Sequence, residues 1–126
     1  MSDEKNSLIA RTLEPVIETW HGDKNLWETF LTTGETLPRK FHTDPSAHIA
    51  LLNYITSPAM DERFPGWRIQ RTESGDNLGR AGQRVTIETY GRQNGLFHGI
   101  APDHMTAFRD GCYELCKAIR EEALNA

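Results

Sequence analysis

The chain has 126 residues, 37% hydrophobic and 25% charged, with a formal net charge of −4. That length fits one domain able to bury a core without staples, and the composition is that of a globular protein. It excludes a generic basic nucleic-acid coat, and no apolar run approaches the roughly 20 residues of a membrane span.

The opening MSDEKNS lacks the basic and apolar regions of a secretory signal. A single cytoplasmic α+β domain over residues 1–126 is therefore expected, with residues 1–6 disordered. Ile9, Leu13, Val16, Ile17 and Trp20 recur at spacings of three and four, the apolar stripe of an amphipathic helix beginning near Ser7. Pro15 interrupts it and predicts a kink or a second short helix, because proline removes a helical hydrogen bond and clashes with the preceding turn. Asp23 is placed to cap another helix that buries Leu26, Trp27, Phe30 and Leu31, and Gly34 suits the left-handed residue after its last turn. Residues 35–42, ETLPRKFH, read as an extended connector carrying Arg39 and Lys40.

Thr43 or Asp44 caps the next helix, and Pro45 takes its first position, where the missing N–H does no harm. Ile49, Leu52 and either Leu51 or Ile55 supply its buried face, and Ser57-Pro58 ends it before an irregular loop to Gly66. The period then changes from 3.6 to two. Trp67, Ile69 and Arg71 alternate with Arg68, Gln70 and Thr72, and Val85, Ile87 and Thr89 alternate with Arg84, Thr86, Glu88 and Tyr90, which predicts two strands. Residues 74–83, rich in glycine and polar groups, read as a mobile hairpin loop. Asn94-Gly95 signals a turn into a third antiparallel strand over 96–100. Pro102 and Asp103 introduce a long final helix with the stripe Met105, Phe108, Cys112, Leu115, Cys116 and Ile119. Gly111 lies within it, and a mid-helix glycine is explained by close approach to a neighbouring backbone. N-terminal helices, a three-stranded antiparallel sheet and a long C-terminal helix packed on it make an α+β domain.

No catalytic signature stands out. His21, His42, His48, His98 and His104 lack the spacing of a helical zinc site or a cysteine–histidine ribbon, so no metal is expected. Cys112 and Cys116 share one helix face and read as small buried residues rather than a disulfide. Acidic pairs such as Glu14 with Glu18 and Asp110 with Glu114 fall on polar helix faces, and GDNLGRAG lacks the lysine and hydroxyl of a P-loop.

The arginines are the stronger lead. Residues 57–100 hold six (Arg63, Arg68, Arg71, Arg80, Arg84, Arg92) against five acids and no lysine, whereas residues 1–36 hold seven acids and three bases. A guanidinium recognises phosphate or carboxylate in a planar, bidentate way. Arg68, Arg71, Arg84 and Arg92, with Trp67 and Tyr90 as stacking surfaces and His42 and His48 as further polar groups, are the candidate ligand-binding residues. The plain alternative is that these arginines pair with Glu73, Asp76 and Glu88 across strands.

The segment FHTDPSAHIALLNYI, with looser likeness at NSLIARTLEPV, GWRIQRT and GCYELCKAI, resembles small phage and prophage accessory proteins with an ABA sandwich domain. In that family an aromatic residue, a small polar residue and Thr-Asp precede an alanine-rich helix, here Phe41, His42, Thr43, Asp44, Pro45, Ser46 and Ala47. The resemblance implies a sheet sandwiched by helices and a phage origin, and by analogy an anti-defence role, without supplying catalytic residues.

The expected function is binding without catalysis. A nucleotide second messenger is sequestered by an oligomer through the sheet arginines, or a nucleic-acid-binding host defence protein is blocked in the manner of anti-CRISPR proteins, with no cofactor and no membrane partner. The alternatives are a small nucleotide-acting enzyme using His42, His98 or His104 as acid or base, and a structural or interaction module.

Overall fold

In the computed structural model, which describes residues 2–13, 41–77, 80–91 and 95–125, the chain forms the expected α+β order. The elements are α1 (Ser2–Thr12), α2 (Pro45–Ile55), α3 (Ala59–Arg63), β1 (Ile69–Asn77), β2 (Arg80–Thr89), β3 (Leu96–Ala101) and α4 (His104–Asn125). The strands pair antiparallel in the order β1-β2-β3. The proposed break at Pro15, the helix after Asp23, Trp20, Trp27 and the connector with Arg39 and Lys40 lie outside the described residues, as does Arg92.

The described helices cover one face of the sheet. Val85, Ile87 and Thr89 of β2 point inward with Ile69, Gly99 and Ala101, while Arg84, Thr86 and Glu88 point out, the alternation that a half-buried strand requires. Phe108, Cys112, Leu115, Cys116 and Ile119 of α4 close the inner face, and α1 contributes Ile9, Ala10 and Leu13 to the same core. Among the described residues the helices lie on this side only, so a second helical layer of the kind an ABA sandwich implies is not found among them.

Asp103 fixes the start of α4: its carboxylate accepts from the Thr106 backbone N–H at 2.9 Å and the Thr106 hydroxyl at 2.8 Å. Asp44, rather than Thr43, caps α2, accepting from the Ala47 N–H at 3.4 Å. The face α2 buries is Ala47, Leu51, Tyr54 and Ile55. Ile49, expected inside, is 54% exposed, because a stripe through 47, 51, 54 and 55 turns position 49 to the opposite side.

Three expectations are corrected. Residues 2–6 are helical, not disordered: α1 begins at Ser2, and Asn6, 2% exposed, is held by the interior polar cluster described below. Residues 74–77 and 80–83 are strand. Ser74, Gly75 and Asp76 pair with Val85, Arg84 and Gln83, which carries the hairpin ladder almost to its tip. Finally, the register shifts between Ile69 and Arg71, and this bulge at Gln70 changes the phase of β1. Trp67 and Ile69 face the core, but Arg71 does not follow them; it pairs with Glu88 on the outer face.

Candidate functional site

The outer face of the sheet carries an open depression of about 400 Å³, lined by Arg71, Glu73, Arg84, Thr86, Glu88 and His98 among others. These side chains converge through register: Arg71 lies opposite Glu88, Thr86 opposite His98, and Arg84 opposite Gly75 on one side and Ile100 on the other. Gly75 leaves open space beside Arg84, since a Cβ there would meet nothing within 4 Å.

The two arginines of this depression are not equivalent. Arg71 is neutralised: its Nε donates to Glu88 at 2.7 Å, and a terminal nitrogen lies 3.1 Å from Glu73. Arg84 has no carboxylate partner among the described residues. One terminal nitrogen donates to Nδ1 of His98 at 3.3 Å, and its Nε is buried without a hydrogen-bond partner. The Thr86 hydroxyl lies 3.0 Å from the same Nδ1. Because a guanidinium only donates, His98 Nδ1 accepts, and the ring proton resides on Nε2. Partial burial and the Arg84 charge both hold the His98 imidazole below its ordinary pKa. The corner Arg84–Thr86–His98 therefore sets a guanidinium without an ion-paired carboxylate beside a neutral ring N–H donor, groups that can receive an anion, in a depression that Glu73, Asp76 and Glu88 also line.

The other predicted residues are distributed elsewhere. Trp67 is 6% exposed, its indole N–H donates to Glu122 near the end of α4, and its ring leans on Phe97; it belongs to the core and offers no stacking face. Tyr90 is 64% exposed, with the Arg68 guanidinium 6.0 Å from its ring centroid, a cation–π pair at the end of β2. Arg92 lies outside the described residues.

His21 lies outside the described residues, and the four described histidines do not gather into one site. His42 is part of an interior cluster in which Arg109, 2% exposed, donates from Nε to Asp110 at 2.7 Å and from a terminal nitrogen to Asn6 Oδ1 at 3.3 Å and His42 Nδ1 at 3.1 Å. Asn6 Nδ2 also lies 3.2 Å from His42 Nδ1, and Lys5 sits 3.4 Å from Asp110. This network ties α1 to α4 and to the approach to α2.

His48 meets His104 edge-on at 5.6 Å between centroids and Phe108 at 4.9 Å. The pair borders a second cleft of about 200 Å³ with Leu52, Thr72, Ser74 and Val85. Burial first, then the His104 charge, lowers the His48 pKa. The sequence held no signal for this meeting, since 56 positions separate the two rings.

Among the described residues no group of three or more His, Cys, Asp or Glu is placed to hold a metal ion. Cys112 and Cys116 are unpaired and fully buried. Burial pushes the Cys116 thiol up to about 12 and raises Cys112 well above its ordinary value, which leaves neither as a ready nucleophile. No described helix is long and apolar enough to cross a membrane. The chain matches no protein-family model, no curated protein and no solved structure.

Proposed function

We propose that this chain is a non-enzymatic phage accessory protein that antagonises host defence by sequestering a nucleotide signal on the outer face of its sheet. The observation that carries the reading is Arg84: a guanidinium directed at a neutral histidine, with no carboxylate to neutralise it among the described residues. A phosphate at this corner would receive charge-assisted hydrogen bonds from Arg84 and a further one from His98 Nε2. Glu73 and Glu88, held at the same depression by Arg71, provide acceptors suited to the amino groups of a base. The phage origin rests on the resemblance carried by Phe41, Thr43, Asp44 and Ala47.

Thermal denaturation against inorganic phosphate and a panel of cyclic and linear nucleotides tests this. A ligand that binds only the folded state raises the midpoint, by several degrees at saturating excess for a domain of this size. The expected result is a shift with at least one nucleotide that Arg84→Ala abolishes and Arg68→Ala preserves. Absence of a shift with every nucleotide would sink the sequestration reading and favour a protein target. Recovery of chemically altered nucleotide would instead favour catalysis, with the His48–His104 cleft as the place to look.

A further inference from the structure

The two edges of the sheet are built differently. Along β1 the pairing is broken between Ile69 and Arg71 and again between Asp76 and Asn77, and the strand carries Arg71, Glu73 and Asp76. Bulges and charges are the devices that keep an edge strand from recruiting another strand. β3 has neither. Its register with β2 runs unbroken from Leu96 to Ala101, it contains no acid, lysine or arginine, and its outward side chains are Leu96, His98 and Ile100, the two aliphatic ones each 53% exposed.

The backbone of β3 points the same way. The Thr89 N–H donates to the Gly95 carbonyl at 2.8 Å, which makes 89 and 95 a hydrogen-bonded pair of the β2–β3 ladder. Antiparallel ladders alternate hydrogen-bonded and non-hydrogen-bonded pairs. Phe97, Gly99 and Ala101 thus spend their N–H and C=O groups on β2, and those of Leu96, His98 and Ile100 point off the edge, where no described strand pairs with them.

We infer that two copies of this chain join edge to edge through β3, antiparallel, with His98 opposite the partner's His98 on a two-fold axis. In that register Leu96 lies against the partner's Ile100 and Ile100 against the partner's Leu96, so the exposed aliphatic side chains cover one another. The three residues whose backbone groups are free are the three that meet, and each pair exchanges both hydrogen bonds. A shift of one residue would bring free groups against groups already committed to β2. A shift of two would leave one aliphatic residue without a strand partner, and in one direction it would set Leu96 against Pro102, which has no N–H to give. The register centred on His98 alone uses the whole edge. The product is a continuous six-stranded sheet, three strands from each copy, closed by isologous symmetry. If the anion-binding reading also holds, this sheet presents two Arg84–Thr86–His98 corners on one face, one on either side of the axis, fitted to a ligand with two anionic groups. That clause rests on the function proposed above; the pairing of edges does not.

Sedimentation velocity of the ligand-free protein across a micromolar concentration series reads the pairing without reference to any nucleotide. A dimer is expected for the wild type and for Ile49→Lys, which alters an equally exposed residue on α2, and a monomer for Leu96→Lys combined with Ile100→Lys. Oxidative cross-linking reads the register. His98→Cys is expected to form a covalent dimer, because facing residues of a hydrogen-bonded pair stand about 5.5 Å apart at Cα, within disulfide reach. Ile100→Cys is expected not to, because its two copies are offset by four residues, roughly 14 Å along the strand. The native cysteines are buried and stay silent in this assay. A monomeric wild type, a double-lysine variant that still dimerises, or cross-linking at position 100 in preference to 98 would overturn the inference.

Discussion

Gly99 of β3 and Gly111 of α4 stand against each other where strand and helix cross. A Cβ built on Gly99 would overlap the Ala107 carbonyl oxygen and crowd the Gly111 amide nitrogen, whereas one built on Gly111 would lie 3.3 Å from Ile87 Cδ1 and 3.4 Å from the Gly99 nitrogen. The two positions therefore differ in tolerance. Gly99→Ala forces backbone against backbone and is expected to destabilise by more than about 3 kcal/mol, at the upper end of overpacking effects, or to prevent folding. Gly111→Ala meets one flexible methyl and gains roughly 1 kcal/mol of helix propensity, so it should stay within about 1 kcal/mol of wild type. Chemical denaturation of both variants measures this, and equal losses would contradict the crossing geometry.

Replacing Asp103 removes the cap of the longest described helix. Asp103→Ala is expected to lower stability by about 1 kcal/mol in urea unfolding, with Asp103→Asn losing less, since an amide oxygen can still accept from the Thr106 N–H. Hydrogen bonds from Thr106 hold the Asp103 carboxyl below its usual range. Its contribution is thus present above the ordinary carboxylate value and lost as pH falls through the lowered one.

The histidines set an earlier acid limb. His48, through burial and His104, and His98, through burial and Arg84, both lie below the ordinary value of 6.5 in the folded chain. The unfolded chain therefore binds more protons just below that value, and stability rises with pH there. Midpoints measured from pH 8 downward are expected to hold until near 6.5 and then decline toward the lowered folded-state values. His48→Gln should flatten part of that decline. A flat profile between pH 6.5 and 5 in the wild type would rule out this account.

The cluster around Arg109 predicts a penalty at a residue that composition alone would place on the surface. Asn6→Leu removes an acceptor for Arg109 and a polar contact to His42 inside the protein, and should reduce stability by roughly 1–3 kcal/mol despite adding apolar volume. A neutral or stabilising result would show that the cluster is dispensable.

The thiols offer a simple probe of packing. Cys112 and Cys116 should resist alkylation at pH 8 in the folded protein and react fully in denaturant, because both are buried and held in the thiol form. Rapid native-state labelling would mean that α4 does not lie on the sheet as described.

Element order was legible in the sequence because it depends on local chemistry. Asp44 and Asp103 before their helices, the stripe from Phe108 to Ile119, and the alternation of Val85, Ile87 and Thr89 all act within a turn or two of the chain. The site was legible only in part. Arg71 and Arg84 were found by residue type, but which of them is neutralised depends on register, and register follows from a bulge at Gln70 that no periodic pattern announces. The turn signal at Gly95 located β3 without giving its alignment to β2, so the meeting of Arg84, Thr86 and His98 could not be read. Trp67 passed for a stacking surface because aromatic character does not reveal exposure; its burial comes from Phe97 and Glu122, 30 and 55 positions away. Asn6, His42 and Arg109 likewise meet only in three dimensions.

Because the described helices cover one face of the sheet, β2 holds two independent records on alternate residues. Val85, Ile87 and Thr89 are buried and answer to packing, while Arg84, Thr86 and Glu88, half-buried on the outer face, lie across the ladders from Gly75 and Ile100, Glu73 and His98, and Arg71 and Leu96. Substitutions at the second set change the chemistry of the outer face and are expected to cost the core little. One strand can thus keep the architecture with every other residue and vary the outer face with the rest.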